Sequence, residues 1–521
     1  MSIHKKIAKN AVYNFLIKAI TLAFGFIASV VVARFLGPDK YGVYSFVMWL
    51  LYVVGLLVNL GINTTVTKYV SEYWGKKDLS TISSIFKKLF RFEILIGVAV
   101  SLLLFFFAPL IARWYKNPEL SLYLKAAATV FLPLGLMWLY NGLFCGLQRY
   151  DLIALINLIV SPLTVGIILL VMYLGGKMEW FVAVSTITNV LLVISYIYLK
   201  RTRFDFRPST VDRRPSTANA LRGKLFKFSA SVFVVLVLDA IVWERFGILF
   251  LSIFSTTTEI AFYNVAFILS SRTMILLPGA LTGILLPAMS EVYGGGNKEE
   301  LAKVHSNSTR YLAMLSFPLC LGGIAIAHQL LPILYGPSYQ PAALLFAILL
   351  IGGAVGSIST SSSSLLYGTE LQRIVVKVGI LSALVNLTIC RISVPAWGAK
   401  GVALATTLAQ VISGMSLMFY AYKKHMQQRF PRSGILRILF ASILTGVVAF
   451  IFAEGLKGMV GVVLALIVSF PLYILALFFT RSLTAEDLSL LEAALNRMPE
   501  SWSRKVKPVL YWLVHSFYPD R

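Results

Sequence analysis

Lys18 stands inside an apolar run, and the polar residues around it keep a helical spacing. Asn14, Lys18, Thr21, Gly25 and Ser29 follow one another at steps of four, three, four and four. Steps of that size put side chains on one face of a helix. A lysine on such a stripe either holds an anion as a point charge in a wet cavity or reaches back along its own stem to the nearby interface. Arg272 lies deeper in its apolar run. Its planar fork suits a phosphate or carboxylate group, or it pairs structurally with Asp239 or Glu244. Asp239 is a candidate for ion or proton coupling. Glu244 and Arg245 are candidates for ion pairs with neighbouring helices, because at 100° per residue they point about 140° and about 240° away from Asp239. A second stripe holds Ser45, Tyr52, Asn59 and Asn63, which either line a cavity or bond between helices. The run Ser357–Ser364, SISTSSSS, contains Ser361 and reads either as a wet cavity wall or as close helix packing.

Enzyme chemistry has little to build on. His4, His305, His328, His425 and His515 show no metal-ligand spacing, and Cys145, Cys320 and Cys390 all fall in apolar blocks. No phosphate-binding glycine loop, nucleophile elbow or HExxH run occurs. No catalytic residue, metal or cofactor is therefore expected.

The elements that must position these residues follow from composition. The chain of 521 residues is 58% hydrophobic and 13% charged, with a mean hydropathy of +0.80. Its apolar residues come in blocks of the length a bilayer demands, about 20 residues per helix. Fourteen spans are expected: 11–34, 42–66, 89–112, 121–146, 152–174, 180–199, 225–252, 260–289, 308–330, 341–367, 374–395, 398–422, 435–454 and 459–480. The even count puts both termini on one side. That side holds about 35 of the 47 Lys and Arg residues, which by the positive-inside rule makes it cytoplasmic. The charges are divided among many short loops, so they speak for anionic headgroups and against nucleic acid.

The chain also echoes itself. KYVSEYWGKKDL (68–79) returns as AMSEVYGGGNKEEL (288–301), with Ser71, Glu72 and Gly75 falling on Ser290, Glu291 and Gly294. The same offset of 219 carries Tyr44 onto Tyr263. Leu147-Gln148-Arg149 returns as Leu371-Gln372-Arg373, and Tyr115 echoes in Tyr335. A constant offset is the trace of a duplication. Spans 1–6 match spans 7–12 in the same orientation, a parallel repeat of the kind found in transporters with a site between the halves. The expected fold is therefore all-α and polytopic, with two six-helix lobes and two extra helices. The divisions fall at 1–199 (first lobe), 200–224 (basic cytoplasmic linker), 225–422 (second lobe), 423–480 (spans 13 and 14) and 481–521 (amphipathic tail). The tail opens on Thr484-Ala-Glu-Asp487, a capping-box pattern. It continues in an amphipathic stretch around Trp502, Val506, Val509, Leu510 and Leu513 that suits a lipid interface.

Seven stretches, taken in order, carry a family resemblance: RFLGPDKYGVYSF (34–46), KYVSEYWGKKD (68–78), GLQRYD (146–151), AFYNVAFIL (261–269), LPAMSEVYGGGN (286–297), LYGPSY (334–339) and WGAKGVALATTLAQ (397–410). On these the chain resembles Wzx-type polysaccharide flippases of the multidrug/oligosaccharidyl-lipid/polysaccharide exporter superfamily. The resemblance implies two lobes rocking around a cationic cavity. The cargo would be a polyprenyl-diphosphate-linked oligosaccharide, moved from the cytoplasmic to the outer leaflet for surface polysaccharide biosynthesis. In this reading Lys18 and Arg272 bind substrate, and Asn14, Thr21, Ser29, Asn59 and Ser361 line the cavity. The superfamily's lipid II flippases have arginines in the first span; here that region holds Lys18, with Arg34 at its outer end. The expected setting is a plasma membrane, as a monomer among membrane lipids, with a glycan polymerase as partner enzyme. The alternatives are a multidrug or cation exporter of the same superfamily, which would use Asp239 and Glu244, and a membrane glycan-assembly enzyme.

Overall fold

The structure, a computed structural model, describes residues 3–203, 222–425 and 432–489, apart from 116, 243, 277, 457, 485 and 486, together with 508, 511, 514, 516 and 517. Sixteen α-helices occupy the described residues: α1 (Ile3–Asn59), α2 (Ile62–Gly75), α3 (Leu79–Trp114), α4 (Leu120–Ala128), α5 (Phe131–Gly146), α6 (Tyr150–Tyr173), α7 (Met178–Arg203), α8 (Arg222–Val242), α9 (Gly247–Phe254), α10 (Thr257–Leu276), α11 (Pro278–Gly294), α12 (Lys298–Tyr335), α13 (Ala342–Gly368), α14 (Gln372–His425), α15 (Arg432–Leu456) and α16 (Gly458–Phe479).

Among the described residues, ten helical stretches are long and apolar enough to cross a membrane. Two of the ten hold two expected spans each. α1 is interrupted by non-helical backbone at Gly37, between spans 1 and 2, and α14 at Gly398, between spans 11 and 12. Expected spans 7 and 8 are outside the ten; span 7 is interrupted between α8 and α9 by non-helical residues 244–246, and span 8 is covered by α10 and α11. Span 2 is also broken. α1 ends at Asn59 and α2 starts at Ile62, across Leu60 and Gly61, which both have positive φ. Backbone broken at membrane depth persists only where protein or a wet cavity satisfies it; here Ser229 donates to the Leu60 carbonyl at 2.6 Å.

The repeated motif has a structural cause. Each copy ends one helix and starts the next. Lys77 and Gly296, 219 residues apart, both take positive φ, 56° and 76°. The following residues, Asp78 and Asn297, are the N-caps of α3 and α12. Their side chains accept from the backbone N–H of Thr81 at 2.9 Å and of Glu300 at 3.1 Å. Such caps satisfy donors that a helix start otherwise leaves unpaired. The Leu-Gln-Arg echo marks a second pair of helix ends, with a different register. Its left-handed residues are Gln148 and Glu370, so the structural equivalence lies two residues from the match of letters.

The chain divides into two compact units, residues 1–268 with 383–405, and residues 269–382 with 406–521. In the first, α5 packs against α2, α3 and α7. Val66, Val70, Ile82, Ile85, Leu139, Phe144 and Tyr196 form its core. In the second, α12 packs against α13 and α15, around Met289, Leu312, Ile358, Leu365 and Ala421. There the expected capping box forms: Thr484 N–H donates to Asp487 at 2.7 Å and Asp487 N–H to Thr484 at 3.4 Å. Asp487 then pairs with Arg310 of α12 at 2.7 Å, each side chain 7% exposed. Trp502, Val506, Val509, Leu510 and Leu513 lie outside the described residues. Val514 and Phe517 pack with Phe478, Leu483 and Leu488 at the end of α16. Of the basic linker, residues 204–221 also lie outside the described part.

Candidate functional site

The links between expected spans 1 and 2, 7 and 8, and 11 and 12 all lie in the first unit. Within the first unit these three links are bonded together. Thr256 caps α10 by accepting from Glu259 N–H at 3.3 Å. Ser255 and the Ala399 N–H, the latter at 2.8 Å, both donate to the Glu259 carboxylate. An acid placed there ties α10 to the helix that restarts after the kink at Gly398 and offsets that helix's positive end. Thr258 donates to the Asp39 carboxylate, joining the same region to the Gly37 kink. Gly42 lies so close that a Cβ there would stand 1.8 Å from the Thr257 carbonyl oxygen. Only a glycine lets the two backbones meet like this.

One turn further along, a buried polar network continues the contact. Asn264, 3% exposed, donates to Ser45 at 2.9 Å and to the Tyr41 hydroxyl at 3.2 Å, and accepts from Arg245 at 2.6 Å. The Tyr41 hydroxyl also meets Ser29 at 3.2 Å. Residues at membrane depth bond across helices in this way because hydrocarbon offers no other partner. The network uses Ser29 of the first stripe, Ser45 of the second and Arg245, whose bonding partner here is an amide.

The remaining sequence candidates lie as follows. Lys18 and Thr21 are exposed on α1, with the Thr21 hydroxyl turned back to the Ile17 carbonyl at 2.8 Å. The side chain of Asn14 is outside the described ones. Asn59 is half-buried at the break and accepts from Asn63 N–H at 3.4 Å; Asn63 in turn donates to the Trp138 carbonyl at 2.9 Å and to Asn141 at 3.3 Å. Asp239 is exposed near the end of α8, and Glu244 follows in the gap before α9. Arg272 is half-buried on α10, in the second unit. Ser361 is fully buried and donates to the His305 carbonyl at 3.3 Å, beside a 3.0 Å contact between Ser362 and the His305 ring. The serine run therefore meets α12 along its buried side, with Ser357 accepting from Ser316 at 3.0 Å. At the exposed end of α2, Glu72 bonds to Lys76 and holds its ammonium above the usual lysine range.

Sequence reasoning passed over Asn264, Tyr41, Asp39 and Glu259. A signal existed for them. The 219 offset that joins Tyr44 to Tyr263 also joins Ser45 to Asn264 and Asp39 to Thr258.

Long apolar helices with interrupted backbone, bonded together at their links, make a polytopic helical fold, and solved transporter structures share it. The chain is similar to the structure described as lipid II flippase MurJ in an inward closed conformation, with a TM-score of 0.72 at 14% identity, covering 90% of this chain and 99% of that one. It is 20% identical over 467 residues to the lipopolysaccharide biosynthesis protein WzxC of Escherichia coli (strain K12), covering 88% of this chain and 90% of WzxC. It is 22% identical over 467 residues to the probable low-salt glycan biosynthesis flippase Agl15 of Haloferax volcanii, covering 88% of this chain and 91% of Agl15. The chain belongs to the polysaccharide biosynthesis protein family, whose sequence model matches residues 31–344.

Proposed function

We propose that this protein is a flippase that carries a polyprenyl-diphosphate-linked oligosaccharide from the cytoplasmic to the outer leaflet of the cell membrane by alternating access, in the assembly of a surface polysaccharide. Family membership and the names of two relatives, one a lipopolysaccharide biosynthesis protein and the other a probable glycan biosynthesis flippase, support the cargo class. The observation that supports the mechanism is the bonding of repeat-equivalent residues, Asp39 to Thr258 and Ser45 to Asn264. Contacts between equivalent positions can be broken and remade as two lobes rock about their common axis, which alternating access requires.

In this reading both termini are cytoplasmic, the far face is closed in this conformation, and the protein works as a transporter with no chemical step. Lys18 and Arg272 supply positive charge for the diphosphate, the lysine as a point charge and the arginine through its fork. Thr21, Ser29 and Asn59 offer hydroxyl and amide groups to the sugar. The protein acts as a monomer beside a glycan polymerase that consumes the flipped unit.

The test is reconstitution. Proteoliposomes are loaded with a dye-labelled polyprenyl-diphosphate disaccharide, and a membrane-impermeant quencher reads how much label reaches the outside. Protein-dependent exposure of the label, absent for a labelled phospholipid, supports the reading. Equal exposure with empty liposomes contradicts it.

A further inference from the structure

Glu93 lies on α3, inside the expected third span, and is fully buried at 0% exposure. Neither carboxyl oxygen has a hydrogen-bond partner among the described residues. The niche that receives it is made by a glycine. A Cβ on Gly135 of α5 would stand 2.5 Å from one Glu93 oxygen and 2.8 Å from a methyl of Val58. The sequence thus leaves room for a carboxyl in a wall that is otherwise apolar. Val58 is the second-last residue of α1, next to Asn59 and the break at Leu60 and Gly61. The niche is therefore closed on one side by the helix end that borders the break.

Among the described residues no charged side chain is bonded to this carboxyl. On its own helix Arg91 is exposed. On α5, Tyr140 packs its ring on Phe86 and Phe90. On α4, Lys125 sits over the Phe105 ring, three turns further along α3. On α2, Lys68 sits over Phe228, and Glu72 pairs with Lys76. On α1, Tyr52 is half-buried. An ionised carboxylate left unpaired in such a place is very costly, and the group takes up a proton instead.

We propose that Glu93 is a proton-binding site, neutral in this conformation, that releases its proton when the break between α1 and α2 rearranges and withdraws Val58 from the niche. One proton passes from water to the carboxylate and back; no other bond changes. Moving the end of α1 would bring the carboxyl toward the amides of Asn59, Asn63 and Asn141, which are bonded around the break. Those donors favour the ionised form. That this proton would help drive transport rests on the flippase reading; the proton site itself does not.

The experiment needs no cargo. Infrared difference spectra of the full-length protein in lipid nanodiscs are recorded against Glu93→Gln and against Glu93→Met, from about pH 5 to about pH 9. A protonated-carboxyl carbonyl band is expected in the wild type and lost in both variants, so the assignment does not hang on one substitution. In parallel, amide exchange of residues 55–66 is followed across the same range. It should rise with pH in the wild type as the band disappears, and stay at the low-pH level in Glu93→Gln. Absence of a band that the variants remove overturns the proposal. A band with no Glu93-dependent change in residues 55–66 overturns the coupling and leaves a buried structural acid.

Discussion

Ser45 and Asn264 are hydrogen-bonded at 2.9 Å and stand 219 residues apart, the offset that relates the two halves of the sequence. Equivalent residues of a duplicated chain touch only where the axis relating the copies passes between them. Asp39 and Thr258, at the same offset, mark a second point of that contact. Both contacts therefore lie at the axis that relates the copies. A small rotation of one copy against the other would separate both pairs together.

Asn264 makes three side-chain hydrogen bonds in this contact. Replacing it with alanine leaves Arg245 and two hydroxyls short of partners, at an expected cost of about 1–3 kcal/mol. Thermal unfolding in detergent should register this loss. Adding Ser45→Ala to Asn264→Ala should cost less than the sum of the two single changes, because one bond is removed twice. Strict additivity would mean that the two side chains act independently.

Gly42 gives a mechanical handle on the same contact. Gly42→Leu places side-chain atoms where the Thr257 carbonyl now lies. The expected result is a shift toward the conformation open on the far face, read as faster labelling of an introduced Ser45→Cys by a membrane-impermeant thiol reagent. Conversely, an oxidised pair of Asp39→Cys and Thr258→Cys should arrest export, and a reductant should restore it.

Lys18 and Arg272 are the proposed contacts to the diphosphate. Lys18→Ala and Arg272→Ala should each lower export of surface polysaccharide while the amount of protein in the membrane stays normal. Normal export from both variants would remove the cationic part of the site.

Away from the site, Arg310 and Asp487 form a buried pair that fastens the residues after α16 to α12. Breaking it from one side, as Arg310→Met, leaves Asp487 buried without its cation and should cost about 3–5 kcal/mol. Arg310→Met with Asp487→Leu should recover most of that loss, since desolvating both charges is itself expensive. Thermal unfolding, with protease sensitivity of the C-terminal residues, checks both expectations.

Much of the fold was legible in the sequence because membrane helices and helix caps are local. The apolar blocks, the echo around Ser71 and Ser290 and the capping box at Thr484 each depend on neighbouring residues, and each has its counterpart in the structure. The breaks in spans 2 and 7 were hidden because an apolar run reads the same whether its helix is continuous or divided. Glu93 escaped because one carboxyl in a long apolar helix leaves no pattern, and its niche is made by Gly135, forty-two positions away. The partner of Arg245 escaped for a related reason. Charge suggests an acid as its partner, whereas the fold brings it Asn264.

The most direct test of the central claim is made in the source organism. The gene is deleted, lipids are extracted, and polyprenyl-diphosphate oligosaccharides are quantified by mass spectrometry alongside surface polysaccharide. The account predicts that the lipid-linked unit accumulates on the cytoplasmic side while the surface polymer is lost, and that the wild-type gene reverses both. Unchanged levels of both, in a strain holding no other member of this family, would contradict it.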